Sequence, residues 1–135
     1  MDARIKSLWV DALRSGEYEQ GEGVLAEDGR YCCLGVLCEV AIKDGVPLKR
    51  VDQGEHYMST LYGVGINLES HILPSVVTDW AGLNSDNPLV SVVVFAGDEE
   101  DIDVWLTYNE GMSLAEFNDN YGTFEDIADQ IESEL

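Results

Sequence analysis

Positive charge is scarce in this sequence of 135 residues, which has 7 Lys and Arg against 27 Asp and Glu and a formal net charge of −20. All the basic residues lie at or before Arg50, whereas only 9 of the 27 acids do, so 18 acids follow without a base. Proteins that bind nucleic acid phosphates need clustered Lys and Arg, so this composition argues against binding DNA or RNA. An anionic membrane surface is disfavoured for the same reason.

Cysteine and long apolar runs are scarce as well. The three cysteines, Cys32, Cys33 and Cys38, lie in one short stretch, which does not fit a disulfide framework and favours a reducing, cytoplasmic setting. No N-terminal apolar segment and no apolar run of membrane length is present, so we expect no membrane anchor. The spacing from Cys33 to Cys38 is not that of a zinc knuckle, and the acidic loop 97–101 does not match a calcium-binding loop. We therefore expect neither a metal nor a cofactor.

Hydrophobic residues make up 45 % of the chain, which is too many for a disordered acidic tail. The length fits one domain, residues 1–135. Apolar spacing predicts the first and last helices, capping boxes at Ser113 and Thr123 start the last two, and Pro74 suits the start of a short one. Segment 33–43 is almost wholly apolar and should be central and buried. The predicted helices are 2–15, 33–43, 74–81, 114–120 and 124–135.

Three pairs of short strands are also expected. The first pair, 24–26 and 30–32, flanks a turn at 27–29, where Asp28-Gly29 is a strong turn signal. The second pair, 46–51 and 56–62, would form a hairpin in an otherwise ambiguous region. The third pair, 89–95 and 102–107, would form a hairpin with an acidic tip. The sequence therefore predicts an α+β fold, a single domain with a small antiparallel sheet packed with four to five helices.

The cysteine cluster allows two interpretations. Cys32 or Cys33 at the start of a helix could be a thiolate nucleophile, with Gln20 as an oxyanion donor and His71 or His56 as the base. Alternatively, reduced cysteines pack as small hydrophobic side chains. The second interpretation is favoured, which makes a cysteine hydrolase the least favoured function.

The N-terminal third brings Arg14, Tyr18, Gln20 and Arg30 into or beside loops. These residue types can hold an anionic ligand that carries a base: Arg binds a phosphate, Tyr stacks on the base and Gln reads its edge. They can equally cap and solvate helix ends.

Several stretches resemble a family of small proteins encoded by bacteriophages and prophages. They are Trp9-Val-Asp-Ala-Leu-Arg-Ser-Gly-Glu-Tyr18, Gln20-Gly21, Tyr31-Cys-Cys-Leu-Gly-Val-Leu-Cys38, Phe117-Asn-Asp119 and Gly122-Thr-Phe-Glu-Asp-Ile-Ala-Asp-Gln-Ile131. Residues 44–112 carry little of this resemblance, and the acidic second half departs from it. The resemblance implies a viral accessory protein, and small phage proteins of this kind often counter host defence by sequestering nucleotide signals or by blocking defence proteins.

The first hypothesis is a non-enzymatic anti-defence protein that sequesters a small nucleotide-derived signal. Arg14 and Arg30 would bind phosphate, Tyr18 would stack and Gln20 would read the base. Two C-terminal residues, Asn118 and Asp119, would close the pocket.

The second hypothesis is an inhibitor that mimics nucleic acid and binds a basic host protein. Its 18 uncompensated acids match the charge on about 30 Å of duplex axis. A third interpretation takes the acidity alone as a solvated surface. The oligomeric state is left open, a homodimer being one option.

Overall fold

A computed structural model describes residues 1–53, 59–96 and 105–135, with side chains described for 1–53, 59–91 and 111–135. Five α-helices occur at the five predicted places, so the helical part of the prediction is confirmed. They are α1 (Ala3–Arg14), α2 (Cys33–Lys43), α3 (Ser75–Ala81), α4 (Leu114–Asn120) and α5 (Phe124–Glu134).

Eight strands in the described residues form two sheets. They are β1 (Glu19–Gln20), β2 (Ala26–Glu27), β3 (Arg30–Tyr31), β4 (Lys49–Asp52), β5 (Ser59–Val64), β6 (Asn67–Glu69), β7 (Leu89–Ala96) and β8 (Trp105–Ser113).

The larger sheet has the order β1-β3-β2-β5-β4, and β6 also pairs with β5. Its pairs are antiparallel except β1 with β3, which is parallel, and β7 and β8 form a separate antiparallel sheet. The α+β class is therefore confirmed, whereas the single antiparallel sheet becomes two sheets with one parallel pair. The predicted turn around 54, the acidic tip 97–101 and the segment 102–104 lie outside the described residues.

Helix α2 is the centre of the core, as its composition predicts. Every residue from Cys33 to Ala41 is buried, and α1, α3 and α4 pack around it. The apolar stripe of α1 packs against both α2 and α5, and the indole Nε1 of Trp9 donates to the carbonyl of Cys33 at 2.9 Å. No helix in the described part of the chain combines the length and the apolar character needed to cross a membrane.

A salt bridge and an indole fix the end of α2. The guanidinium of Arg4 donates to both carboxylate oxygens of Asp44 at 2.9 Å, and Trp80 Nε1 donates to the same carboxylate at 3.0 Å. These hydrogen bonds, with that of Arg4 the larger cause, lower the pKa of Asp44 to about 2. One exposed carboxylate thus joins α1, α2 and α3.

Helix α2 approaches the backbone of the β2 segment too closely for any side chain at Gly35. A Cβ built at Gly35 would overlap the carbonyl oxygen of Leu25. Because the obstructing atoms are backbone, they cannot move aside as a flexible side chain could. The glycine therefore sets the distance between α2 and the larger sheet.

We expect Gly35→Ala to lower the free energy of unfolding by about 2 kcal/mol or more, even though alanine favours helix, since overpacking against backbone outweighs helix propensity. Urea unfolding followed by circular dichroism would measure the change. Gly111→Ala is the control, because among the described residues a Cβ there meets no atom within 4 Å beyond its chain neighbours. Equal stability of the two variants would contradict the close approach.

Candidate functional site

A depression in the described surface surrounds the tip of the β2–β3 hairpin and has a volume of about 650 Å³. We call it the Arg30 depression. Asp28 and Gly29 form the two-residue hairpin loop with φ of 50° and 78°, the combination that a type I′ turn requires and that Asp-Gly favours. Its lining residues are Gln20, Gly21, Glu22, Val24, Glu27, Asp28, Arg30 and Asn118.

Gln20 lies at one wall of the Arg30 depression, but its amide is used within the protein. Its Nε2 donates to Gly122 O at 2.8 Å and to the side-chain and backbone oxygens of Asn118 at 3.1 and 3.3 Å. Its Oε1 accepts from the backbone N–H of Phe124, the first residue of α5, at 3.0 Å. Gln20 thus satisfies one of the free N–H groups at the start of that helix.

Asn118 is buried and fully hydrogen-bonded. Its Oδ1 accepts from the N–H of Cys33, the first residue of α2, at 3.2 Å and from Gln20. Its Nδ2 donates to Gly21 O at 2.9 Å and to Asp119 Oδ1 at 3.1 Å, and Asp119 also accepts from the N–H of Gly23 at 3.0 Å. An Asn amide has two donors and two acceptor positions, so none of its capacity is left for a ligand.

The charge of the Arg30 depression is negative. Arg30 is its basic lining residue, against the carboxylates of Glu22, Glu27 and Asp28. The Arg30 side chain is 62 % exposed and pairs with Glu19 at 3.5 Å. This arrangement suits a cationic group better than a phosphate. The three carboxylates were not among the predicted site residues. The Asp28-Gly29 turn signal did predict that two of them, Glu27 and Asp28, lie at a hairpin tip.

The remaining predicted site residues lie elsewhere. Arg14, at the end of α1, pairs with three carboxylates of α5, namely Glu125 at 3.4 Å, Asp129 at 2.6 Å and Glu132 at 2.9 Å. Tyr18 packs edge-on against Tyr31 and beneath the Lys43 ammonium, at a separate depression that α1 and α2 form. The structure therefore brings Gln20, Arg30, Asn118 and Asp119 together and leaves Arg14 and Tyr18 apart from them.

The cysteines are buried, free thiols. Burial raises the pKa of Cys32 to about 11 and raises the pKa of Cys33 and Cys38 well above the usual thiol range. Such thiols do not provide the thiolate that a nucleophile needs. Of the two candidate bases, His71 contacts Ser70 at 2.6 Å and His56 lies outside the described residues. The geometry thus argues against the cysteine hydrolase and for cysteine as a core residue.

Sequence reasoning missed a buried ion pair. The Glu39 side chain on α2 is only 7 % exposed, and its carboxylate accepts from Arg50 Nε on β4 at 2.8 Å. The phenol of Tyr62 lies in the same region, and burial raises its pKa. The sequence signal for this ion pair is Glu39 itself, a charged residue within an otherwise apolar helix. Among the described residues, no group of three His, Cys, Asp or Glu side chains could hold a metal ion.

Fold and site together define a small acidic α+β domain whose Arg30 depression is lined mainly by polar and acidic groups. The chain belongs to the family described as a domain of unknown function (DUF8296), whose model matches residues 1–135. No curated protein matches the chain, and no solved structure does.

We expect Asn118→Ala to lower the free energy of unfolding by about 3 kcal/mol, because it leaves the buried N–H of Cys33 without a partner and removes the side-chain hydrogen bonds to Gln20 and to the carbonyl of Gly21. Asn120→Ala, an exposed change on the same helix, should change it by less than about 0.5 kcal/mol. Chemical unfolding at neutral pH would measure both. If Asn118→Ala were as stable as Asn120→Ala, the amide would not be a structural tie and its role in ligand binding would regain support.

Proposed function

We propose that the protein acts without catalysis, by presenting an acidic surface that binds a positively charged partner protein. The supporting observation is that five of the seven basic side chains already form ion pairs with carboxylates of the same chain. They are Arg4, Arg14, Arg30, Lys43 and Arg50. Most of the bases are therefore already engaged within the fold, and the chain has 20 more acids than bases.

The number of acidic residues can be compared with the charge of a nucleic acid. After Arg50 there are 18 acids and no base, and duplex DNA carries one charge per about 1.7 Å of axis. A surface of this kind can occupy the groove in which a nucleic-acid enzyme holds phosphates. The resemblance to phage-encoded proteins favours a host defence enzyme as the partner, and the protein would block that enzyme by competing with its nucleic acid.

We expect the protein to bind a fluorescent oligo-lysine peptide, and the affinity to fall by about tenfold or more when salt is raised from about 50 to about 200 mM, because salt screens exposed charges. A duplex oligonucleotide, whose charge is similar in size but negative, is the control and should not bind. Fluorescence anisotropy would measure both. Oligo-lysine affinity that does not change with salt, or binding of the duplex, would contradict the proposal.

Sequestration of a nucleotide is the second candidate, and the position of Arg30 is the observation that favours it. A depression of about 650 Å³ is in the size range of small-molecule sites, and Arg30 is exposed at its edge with a rather long ion pair that a phosphate could replace. Its weakness is that three carboxylates share the depression and that Gln20 and Asn118 have little or no capacity left for a ligand.

If nucleotides bind there, calorimetry against a panel of linear and cyclic nucleotides should show heat that Arg30→Ala abolishes. Arg14→Ala is the matched control and should leave the heat unchanged, since Arg14 pairs with α5. No heat from any nucleotide would rule out this candidate, and loss of heat in the Arg14 variant alone would place the site elsewhere.

A further inference from the structure

A second groove lies between the β5–β6 hairpin, the start of α3 and the loop that follows α3, with a volume of about 590 Å³. We call it the α3 groove. The backbone N–H of Leu73 donates to Asp86 O at 3.0 Å, which joins two of its walls. Its lining residues are Val64, Asn67, Glu69, Ile72, Leu73, Pro74, Ser75, Val76, Thr78, Asp79, Leu83, Asn84, Ser85 and Asp86.

The hairpin at one end of the α3 groove exposes aliphatic side chains. Val64 and Asn67 line the groove and are paired across a two-residue loop, Gly65-Ile66, in which Gly65 has a φ of 62°. Ile66 is 95 % exposed, and Val64 is also exposed. Hairpin loops are normally built from polar or small residues. The isoleucine at this position leaves nearly all of its apolar side chain in water and so adds little to the stability of the fold.

The α3 groove has a mixed lining, in which aliphatic side chains lie among polar and acidic ones. Val64 is exposed, and three half-buried aliphatic residues, Ile72, Val76 and Leu83, supply further apolar surface. Glu69, Asp79 and Asp86 are its charged residues, and none of its lining residues is basic. An occupant must therefore bring both apolar side chains and positive charge. A phosphate-bearing ligand would meet only repulsion here.

The groove is also long. It shares Leu83, Asn84 and Ser85 with a neighbouring depression of about 290 Å³, which is lined further along by the exposed Leu89. Two linked depressions with aliphatic side chains at both ends suit an extended or helical polypeptide segment better than a compact small molecule.

We infer that the α3 groove docks a segment of the partner protein in which apolar side chains are flanked by Lys or Arg. The inference rests on the proposed function, because that function supplies the basic partner, and it assigns the place and the chemistry of the contact. Ile66 and the aliphatic lining bind the apolar side chains, and the three carboxylates pair with the flanking charges. Apolar contacts beside the carboxylates make such an interaction more specific than charge attraction alone.

Two synthetic peptides of equal length and equal positive charge distinguish the groove from the acidic surface as a whole. One is an amphipathic Leu/Lys peptide of about four helical turns. The other has the same lysines, with each leucine replaced by serine or glycine, and serves as the oligo-lysine of this comparison. We expect the Leu/Lys peptide to bind about tenfold more tightly, and the amide chemical-shift changes that it causes in the protein to fall on residues 64–89.

Ile66→Ser should weaken the Leu/Lys peptide about fivefold or more and leave oligo-lysine unaffected. Leu8→Ser is the matched control, since Leu8 is an aliphatic residue 37 % exposed outside the groove, and it should change neither affinity. Asp79→Asn combined with Asp86→Asn should weaken the Leu/Lys peptide and reduce its dependence on salt. Because Ile66 is exposed, we expect its variant to fold like the wild type, which circular dichroism would check.

Equal binding of the Leu/Lys peptide by wild type and Ile66→Ser, or chemical-shift changes that fall outside residues 64–89, would overturn the inference that this groove is the docking site. If oligo-lysine binds as tightly as the Leu/Lys peptide, the acidic surface still binds cations and only the groove inference fails. If neither peptide binds at low salt, both the groove inference and the proposed function fail. Self-association that Ile66→Ser abolishes would show that a second copy of this chain covers the groove, which also overturns the inference.

Discussion

The hydrogen bonds of Asn118 and Gln20 are the constraint on which the rest of the fold depends. Asn118 satisfies the first N–H of α2, a helix whose N-cap residue Cys32 makes no side-chain capping bond, and Gln20 does the same for the first N–H of α5. Two helices are therefore capped by side chains that lie 85 and 104 residues away along the chain. Capping across such distances couples helix formation to correct tertiary packing, because neither cap exists until the N-terminal and C-terminal segments meet. It also gives these residues a structural role that is independent of any ligand.

The uneven distribution of basic residues along the chain has a similar structural meaning. Arg4 joins α1 to the end of α2, Arg14 joins α1 to α5, and Arg50 joins β4 to the buried Glu39. Exposed ion pairs contribute little stability individually, so the first two pairs chiefly fix orientation. The pair of Arg50 with Glu39 differs, because a buried carboxylate without its partner would be costly. The bases of the first 50 residues thus serve the fold, and Arg14 does so by pairing with acids of the second half, Glu125, Asp129 and Glu132.

The sequence predicted the regular elements well and the site less well, for one physical reason. Helical periodicity and the Asp28-Gly29 turn are local signals, so all five helices and the β2–β3 hairpin were found. Strands β1 and β6 were missed because two or three residues are too short to show a period. The capping of α2 by Asn118 and the separation of Arg14 from Arg30 arise from tertiary packing, which no local pattern records. The same holds for Ile66, whose exposure depends on how its hairpin lies against α3.

A purely solvated surface and a binding surface make different demands on the residues beside the acids. Solvation requires only that charged groups face water, and aliphatic side chains beside them would work against it. The Arg30 depression fits solvation, since its carboxylates lie around a polar hairpin tip. The α3 groove fits solvation less well, because Val64 is exposed in it beside Glu69, Asp79 and Asp86, and Ile66 and Leu89 are exposed close to it. Keeping apolar side chains in water has a free-energy cost in the isolated protein, and burial of those side chains against the basic, partly apolar partner that we propose would recover it. Under that proposal the acidic and aliphatic side chains of the groove act together, and the acidity is more than a general property of the surface.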